Sequence, residues 1–264
     1  MSSRKNMKTV FQKITGSATY YSLRDAKKKW FPSAGDKIEK ERQRQRGDFY
    51  KGFVKEGNLC FDIGANLGNR ITPLLHLKAK VVAAEPQHKC AAYLRKKFGN
   101  RIQLIEKGIG SKEEIRDFYM SDADVLSSFS KEWIDSVKQK RFKRYHWQKP
   151  VKMEMTTLDI LIKKYGIPDF IKIDVEGFEA EVLKGLSHKI KMISYEYTTP
   201  EQTTKAIECI VLLSKISPSL TCNYCIGEEM HFALNNWLTD IEMIEMIKSD
   251  AFTSTRFGDI YVKM

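Results

Sequence analysis

The sequence predicts an α/β fold: one open, mostly parallel sheet of seven strands, helices on both faces, the last strand antiparallel. Three observations predict it. From Leu59 onward, short apolar runs alternate with segments whose apolar residues recur at helical spacing. The first run, Leu59-Cys-Phe-Asp-Ile63, passes straight into a small-residue turn, Gly64-Ala-Asn-Leu-Gly68, and then into a helical pattern carrying Ile71, Leu74, Leu75 and Leu77. Two strand-like runs, 220–226 and Asp259-Ile-Tyr-Val-Lys263, lie close to the end, as a sheet closing on an antiparallel strand requires. At 264 residues the chain can bury one good core. A basic helical extension at 1–55 and a single domain at 56–264 are therefore expected.

The elements follow in order. Met7, Val10, Phe11 and Ile14 fall at i, i+3, i+4 and i+7, so a short basic amphipathic helix is expected there. The run from Ile38 to Arg46 reads as an exposed helical face, and Phe49, Tyr50 and Phe53 form an aromatic stripe that either packs or walls a cofactor pocket. After the glycine turn comes a second buried strand, Val81-Val-Ala-Ala-Glu85, stopped by Pro86. A helix at about 87–98 ends at Gly99-Asn100, and Ile102–Glu106 is a third strand. Gly108-Ile-Gly110-Ser111 reads as a turn, and 115–120 alternates like an edge strand. Residues 121–150 show no regular element; they carry Trp133, Phe142, Tyr145, His146 and Trp147 among basic residues, as an insert above a sheet would. Thr157 can cap a helix ending at Gly166. Phe170-Ile-Lys-Ile-Asp174 is a fourth strand, and Met192–Tyr197, containing Glu196, a fifth. Helices are expected at about 202–216 and 239–249 between the closing strands.

Strand, glycine turn, helix builds a nucleotide-sized site at the carboxyl edge of such a sheet, because glycines let a ligand approach the backbone. A dinucleotide turn would read G-x-G-x-x-G and seat a pyrophosphate on the helix N-terminus. Here the turn is G-A-N-L-G, and Asp62 stands two residues before it. A fixed carboxylate suits a ligand with a cationic amino-acid end, which points to S-adenosylmethionine and away from a dehydrogenase. Glu85, at the end of the next strand, can accept both hydroxyls of a ribose. Either carboxylate alone could be a strand cap; their joint placement favours the ligand.

With Asp62-Ile-Gly-Ala-Asn-Leu-Gly68, Glu85-Pro86, Thr157-Leu-Asp159 and Ile171-Lys-Ile-Asp-Val-Glu-Gly-Phe-Glu179 in order, the chain resembles the FkbM family of S-adenosylmethionine-dependent methyltransferases over roughly 44–264. Ser127-Ser128, Tyr195-Glu-Tyr197 and Gly258-Asp-Ile-Tyr261 add to the likeness. The resemblance implies a Rossmann-like class I methyltransferase fold. It also implies that Asp62, Gly64, Asn66 and Gly68 hold the methionine end, Glu85 the ribose, and Gly108 and Ile109 the adenine side. Asp174, Glu176 and Glu196 would face the transfer site, and the acceptor would be a hydroxyl of a sugar, glycan or related metabolite.

An aliphatic hydroxyl is a weak nucleophile, so a base or a metal must take its proton as the new bond forms. Asp174 is the first choice for base, with Glu176 and Glu196 as helpers and His146 as a further candidate. Asp174 and Glu176 could instead hold Mg²⁺. The spacing does not choose.

Charge raises a second class, nucleic-acid methylation. Residues 1–55 hold 15 Lys/Arg against 5 Asp/Glu, and 136–153 hold seven more and no acids, within a net charge of +12. Against it, the D/N-P-P-F/Y motif of amino-methylating DNA enzymes is absent. Lys172, Asp174 and Glu196 only partly echo the Lys-Asp-Lys-Glu set of ribose methylation, with Lys172 inside a strand. The basic residues 1–43, outside the likeness, suggest an anionic surface or polymer as partner. A third reading is a methyltransferase fold that only binds; the intact Asp62, Glu85 and Asp174 argue against it. Five scattered cysteines and no apolar run near the ~18 residues of a membrane span lead us to expect a cytoplasmic protein, peripheral to a membrane at most. Cys222 and Cys225 have zinc-ligand spacing but no second pair.

Overall fold

The computed structural model of the chain describes residues 33–264. The helix expected at residues 7–14 lies outside the described residues. Those begin with α1 (Ala34–Tyr50), started by a reciprocal cap: the Ser33 hydroxyl accepts from the Asp36 N–H and the Asp36 carboxylate accepts from the Ser33 N–H. The strands are β1 (Leu59–Ile63), β2 (Lys80–Ala84), β3 (Ile102–Ile105), β4 (Gly108–Ile109), β5 (Ile115–Phe118), β6 (Val151–Thr156), β7 (Phe170–Ile173), β8 (Met192–Thr198), β9 (Thr221–Ile226), β10 (Leu238–Thr239) and β11 (Phe257–Lys263). The helices after α1 are α2 (Ile71–His76), α3 (His88–Phe98), α4 (Lys131–Val137), α5 (Leu158–Tyr165), α6 (Glu179–Lys184), α7 (Thr203–Ile216), α8 (Asp240–Lys248) and α9 (Asp250–Thr253).

The main sheet runs β10-β9-β11-β8-β7-β1-β2-β3. Its half from β3 to β8 is parallel, and β11 is antiparallel to both β8 and β9. The seven-stranded Rossmann-like sheet expected from the sequence is present, with the two-residue β10 added at one edge. A second sheet, β4-β6-β5, was not expected. Gly108-Ile109, read as a turn, pairs with Met155-Thr156 as a strand. No local pattern announces two residues whose partners lie so far along the chain.

Alternation sorts the strands between two core layers: Phe61, Ile63, Ile171 and Ile173 pack on one face, Cys60, Val81, Ala83 and Phe170 on the other. On that second face sits the end of α1. Phe49, Tyr50 and Phe53 pack among Phe170, Phe232 and Tyr261; Phe49 and Phe53 border a pocket beside Phe232, but none of the three lines the cavity at the carboxyl edge of the sheet. The insert 121–150 contains α4, which the sequence reading missed. Ser130 caps it, and Trp133, Ile134 and Val137 are its buried side. Trp147 is spent in this cluster: its indole N–H donates to Leu126 O (2.7 Å) and its ring meets Trp133 edge-on. Among the described residues no helix is long and apolar enough to cross a membrane.

Candidate active site

The site forms where β1, β2, β7 and β8 end. Gly64 has φ +84°, and a Cβ there would stand 1.8 Å from Asp174 O, so only glycine lets the ends of β1 and β7 meet. Asn66, also at positive φ (47°), turns its N–H onto Glu85 Oε2 at 2.8 Å. Gln87 N–H donates to the other oxygen, Oε1, at 2.8 Å. Glu85 is thus held by two backbone donors with acceptor capacity to spare. Gly68 works differently: a Cβ there would lie 2.5 Å from the Phe98 ring, so it serves the close approach of α3.

A cavity of about 330 Å³ opens over this turn. Asp62, Gly64, Asn66, Glu85, Gly108 and Ile109 line it, and Asp174, Glu176 and Glu196 close one side. Gly68 is not in the lining. Asp62 is 1% exposed and its Oδ2 has no hydrogen-bond partner. Burial pushes its carboxyl up to about 7, against the pull of Arg70 and Lys172. Burial likewise lifts Glu85 to about 7, against its backbone donors. An orphaned buried acceptor, a second carboxylate on a rigid turn and a glycine cradle fit the amino-acid end and the ribose of S-adenosylmethionine.

The Asp174 side is built by the segment after β7. Glu176 sits at φ 55°, a costly conformation for a residue with a side chain. Three contacts hold it there. Ser128 Oγ donates to Glu176 O at 2.7 Å, Glu179 Oε1 accepts from Val175 N–H and Gly177 N–H, and Gly177 leaves no room for a Cβ against Trp133. Phe178 is buried beneath. One carboxyl oxygen each of Asp174, Glu176 and Glu196 lie within 4.8 Å of one another. Burial and the Asp174 charge raise the carboxyls of both Glu176 and Glu196.

Lys172, set aside in the sequence as a strand residue, belongs to the site. It is 0% exposed, with Nζ 2.9 Å from Asp259 Oδ1 and 3.4 Å from Asp174 Oδ2. Burial alone would lower its pKa; the carboxylates of Asp174 and Asp259 carry it above the usual lysine range. Strand register sets Lys172 directly beside Asp62. A lysine and an aspartate inside two otherwise apolar central strands were the available signal, since buried charges must be paired. Lys172 lies behind the lining, but Arg46, Arg70 and Glu228 line the cavity itself, unforeseen. Arg46, 3% exposed on α1, reaches Glu228 at 2.6 Å and Glu39 at 3.0 Å, and Arg70 lies 3.8 Å from both Glu228 and Asp259. Arg46 stands in a run of exposed charges, and nothing in the sequence singles it out. His146 is exposed and lines neither this cavity nor the one beside it. Cys222 and Cys225 are buried, free thiols of β9.

A second, open cleft of about 890 Å³ meets the first at Glu176 and Glu196. The insert, the end of β8 and the segment around α9 form its walls.

A model of the methyltransferase FkbM domain matches residues 62–253. No curated protein matches the chain in sequence. Similar solved structures include a TehB-like SAM-dependent methyltransferase from Corynebacterium glutamicum, at 10% identity and TM-score 0.44 over 94% of this chain and 98% of that one. A precorrin-6y C5,15-methyltransferase from Geobacter metallireducens is similar at 10% identity and TM-score 0.41, over 84% and 86%. An rRNA methylase from Streptococcus thermophilus is similar at 11% identity and TM-score 0.41, over 82% and 92%.

Proposed function

The chain belongs to the FkbM methyltransferase family, and on that footing we propose that it methylates a hydroxyl oxygen of a sugar, glycan or related metabolite. The observation that carries this reading is the meeting of two cavities at Glu176 and Glu196, with Asp174 alongside. One cavity is of cofactor size and the other is open to an acceptor.

When bound, S-adenosylmethionine supplies a methyl group activated on its sulfonium. Asp62 would take the ammonium and Glu85 the ribose hydroxyls. Arg46 and Arg70 line the same cavity, and a ligand carboxylate would share them with Glu228. Gly108 and Ile109 line the wall assigned to the base. In such a transfer positioning supplies most of the rate, and the close approach of β1 and β7 at Gly64 sets where the cradle lies. Asp174 is assigned as acceptor of the hydroxyl proton, with Lys172 held against it. Glu176 and Glu196 retain protons more readily than ordinary glutamates and can donate to the acceptor oxygen or to Asp174.

Asp174→Asn keeps shape and removes the charge. Bound cofactor should be retained while turnover falls by roughly 10²–10⁴-fold, the scale of a general base. Near-full turnover would end the assignment. The clustering of three carboxylates also suits a hard divalent cation such as Mg²⁺. Activity abolished by EDTA and restored by Mg²⁺ would replace the base with the metal.

The basic excess of the N-terminal part belongs to residues 1–32, with eight Lys/Arg and one Asp, whereas 33–50 is nearly balanced. We assign residues 1–32 to an anionic surface. Their deletion should abolish low-salt binding to anionic liposomes and spare cofactor binding; loss of the latter would refute a tether.

A further inference from the structure

The cleft beside the carboxylates is polarised. Its floor is where it shares the half-buried Glu176 and Glu196 with the first cavity; its mouth is the exposed part of the lining, with Lys140 and Arg256, while Arg141 is half-buried. The three cations differ in what they do. Arg141 is a strut: its guanidinium donates to Thr199 O at 3.0 Å and reaches Arg256 O at 3.4 Å, with Glu201 at 3.5 Å. It ties the insert to the two segments opposite. Arg256 is exposed yet held at φ 70°, its carbonyl pinned by Arg141 and by Thr199 N–H at 2.8 Å. A non-glycine residue stays in that region only where contacts hold it, and here Arg141 and Thr199 supply them. No carboxylate of the described residues pairs with Lys140 or Arg256, and the surrounding stretch 136–153 contains no acid. Phe142 and Phe257 add apolar faces to the lining.

We propose that the acceptor is an anionic sugar, one that carries a phosphate or carboxylate group, and that Lys140 and Arg256 bind this group. The proposal rests on the reading of Asp174, Glu176 and Glu196 as the transfer site. The Asp174 charge beside Glu176 and Glu196 disfavours an anion there, and the exposed cations attract it, so the ligand enters with its hydroxyl leading. Charge alone thereby selects the orientation that brings a hydroxyl to Asp174. Two cations and a narrow set of aromatic faces suit one anionic group on a ring better than a run of phosphates.

The test uses the full chain saturated with S-adenosylhomocysteine, whose own binding is measured first. Its failure would sink the cofactor reading and is seen separately. Saturation-transfer NMR then compares glucose, glucuronate and glucose 6-phosphate. At least one anion should give a clear signal where glucose gives little, and the two anions tell carboxylate from phosphate. In the double variant Lys140→Gln, Arg256→Gln the anion should bind about tenfold more weakly, the scale of two exposed ion pairs. Lys140→Gln alone carries the comparison should the double variant lose its fold. Equal signals from all three sugars, no signal from either anion, or unchanged binding in the variants would overturn the proposal. So would tighter binding of a short RNA oligonucleotide with a steep salt dependence, which would mark a polyanion site.

Discussion

At the scale of single residues, the buried carboxylates make the site sensitive to pH. Asp62 and Glu85 both lie at about 7, raised by burial. Below that pH they bind protons that the unfolded chain, with ordinary carboxyls near 4, has already released. The linkage sign follows: between about pH 4 and pH 7 the native state holds more protons, so these two groups make the ligand-free protein less stable as pH rises. A cofactor reverses the balance, because an ammonium beside Asp62 and hydroxyls on Glu85 both favour the ionised form. Affinity for S-adenosylhomocysteine should therefore improve as pH rises through about 7 and level off above it. Asp62→Asn should flatten part of that profile. A calorimetric titration across this range that shows constant affinity in the wild type would contradict the assignment of both residues.

At the scale of elements, α1 is the test of what counts as part of the domain. Tyr50 is 0% exposed and packs between Phe53 and Phe170, so Tyr50→Ala should cost ~3–5 kcal/mol, as for other large buried rings. Its hydroxyl has no hydrogen-bond partner, so Tyr50→Phe should be near neutral or stabilising. Chemical denaturation measures both; equal losses in the two variants would mean that the hydroxyl, not the ring, is what matters. This helix also shows where sequence reading stops. Apolar periodicity located β1, β2, β7 and β8 because parallel strands are buried on both faces and read as apolar runs. It did not show that Arg46 turns inward from a run of charged neighbours, since that depends on where Glu228 lies. Nor did it find α4, a helix of seven residues whose buried side includes Trp133, amid basic residues.

At the scale of the molecule, the sheet brings together residues far apart in the chain, and the buried pairing of Lys172 with Asp259 and Asp174 occurs there. Asp62, Asp174 and Glu85 were legible because each ends or nearly ends a strand beside a turn or proline. Lys172 and Asp259 were legible only as anomalies within apolar strands, and their pairing across 87 positions needed the fold. The acceptor side was least legible, because the cleft is assembled from the insert, the end of β8 and the approach to β11.

The central claim is that this assembled edge binds S-adenosylmethionine through Glu85. The most direct measurement is a calorimetric titration of S-adenosylhomocysteine into the full chain and into Glu85→Ala. The wild type should bind at one site, and the variant should lose ~1.5–3 kcal/mol, the worth of hydrogen bonds to a charged group, while unfolding as cooperatively as before. No binding in the wild type, or equal affinity in a folded variant, would contradict it.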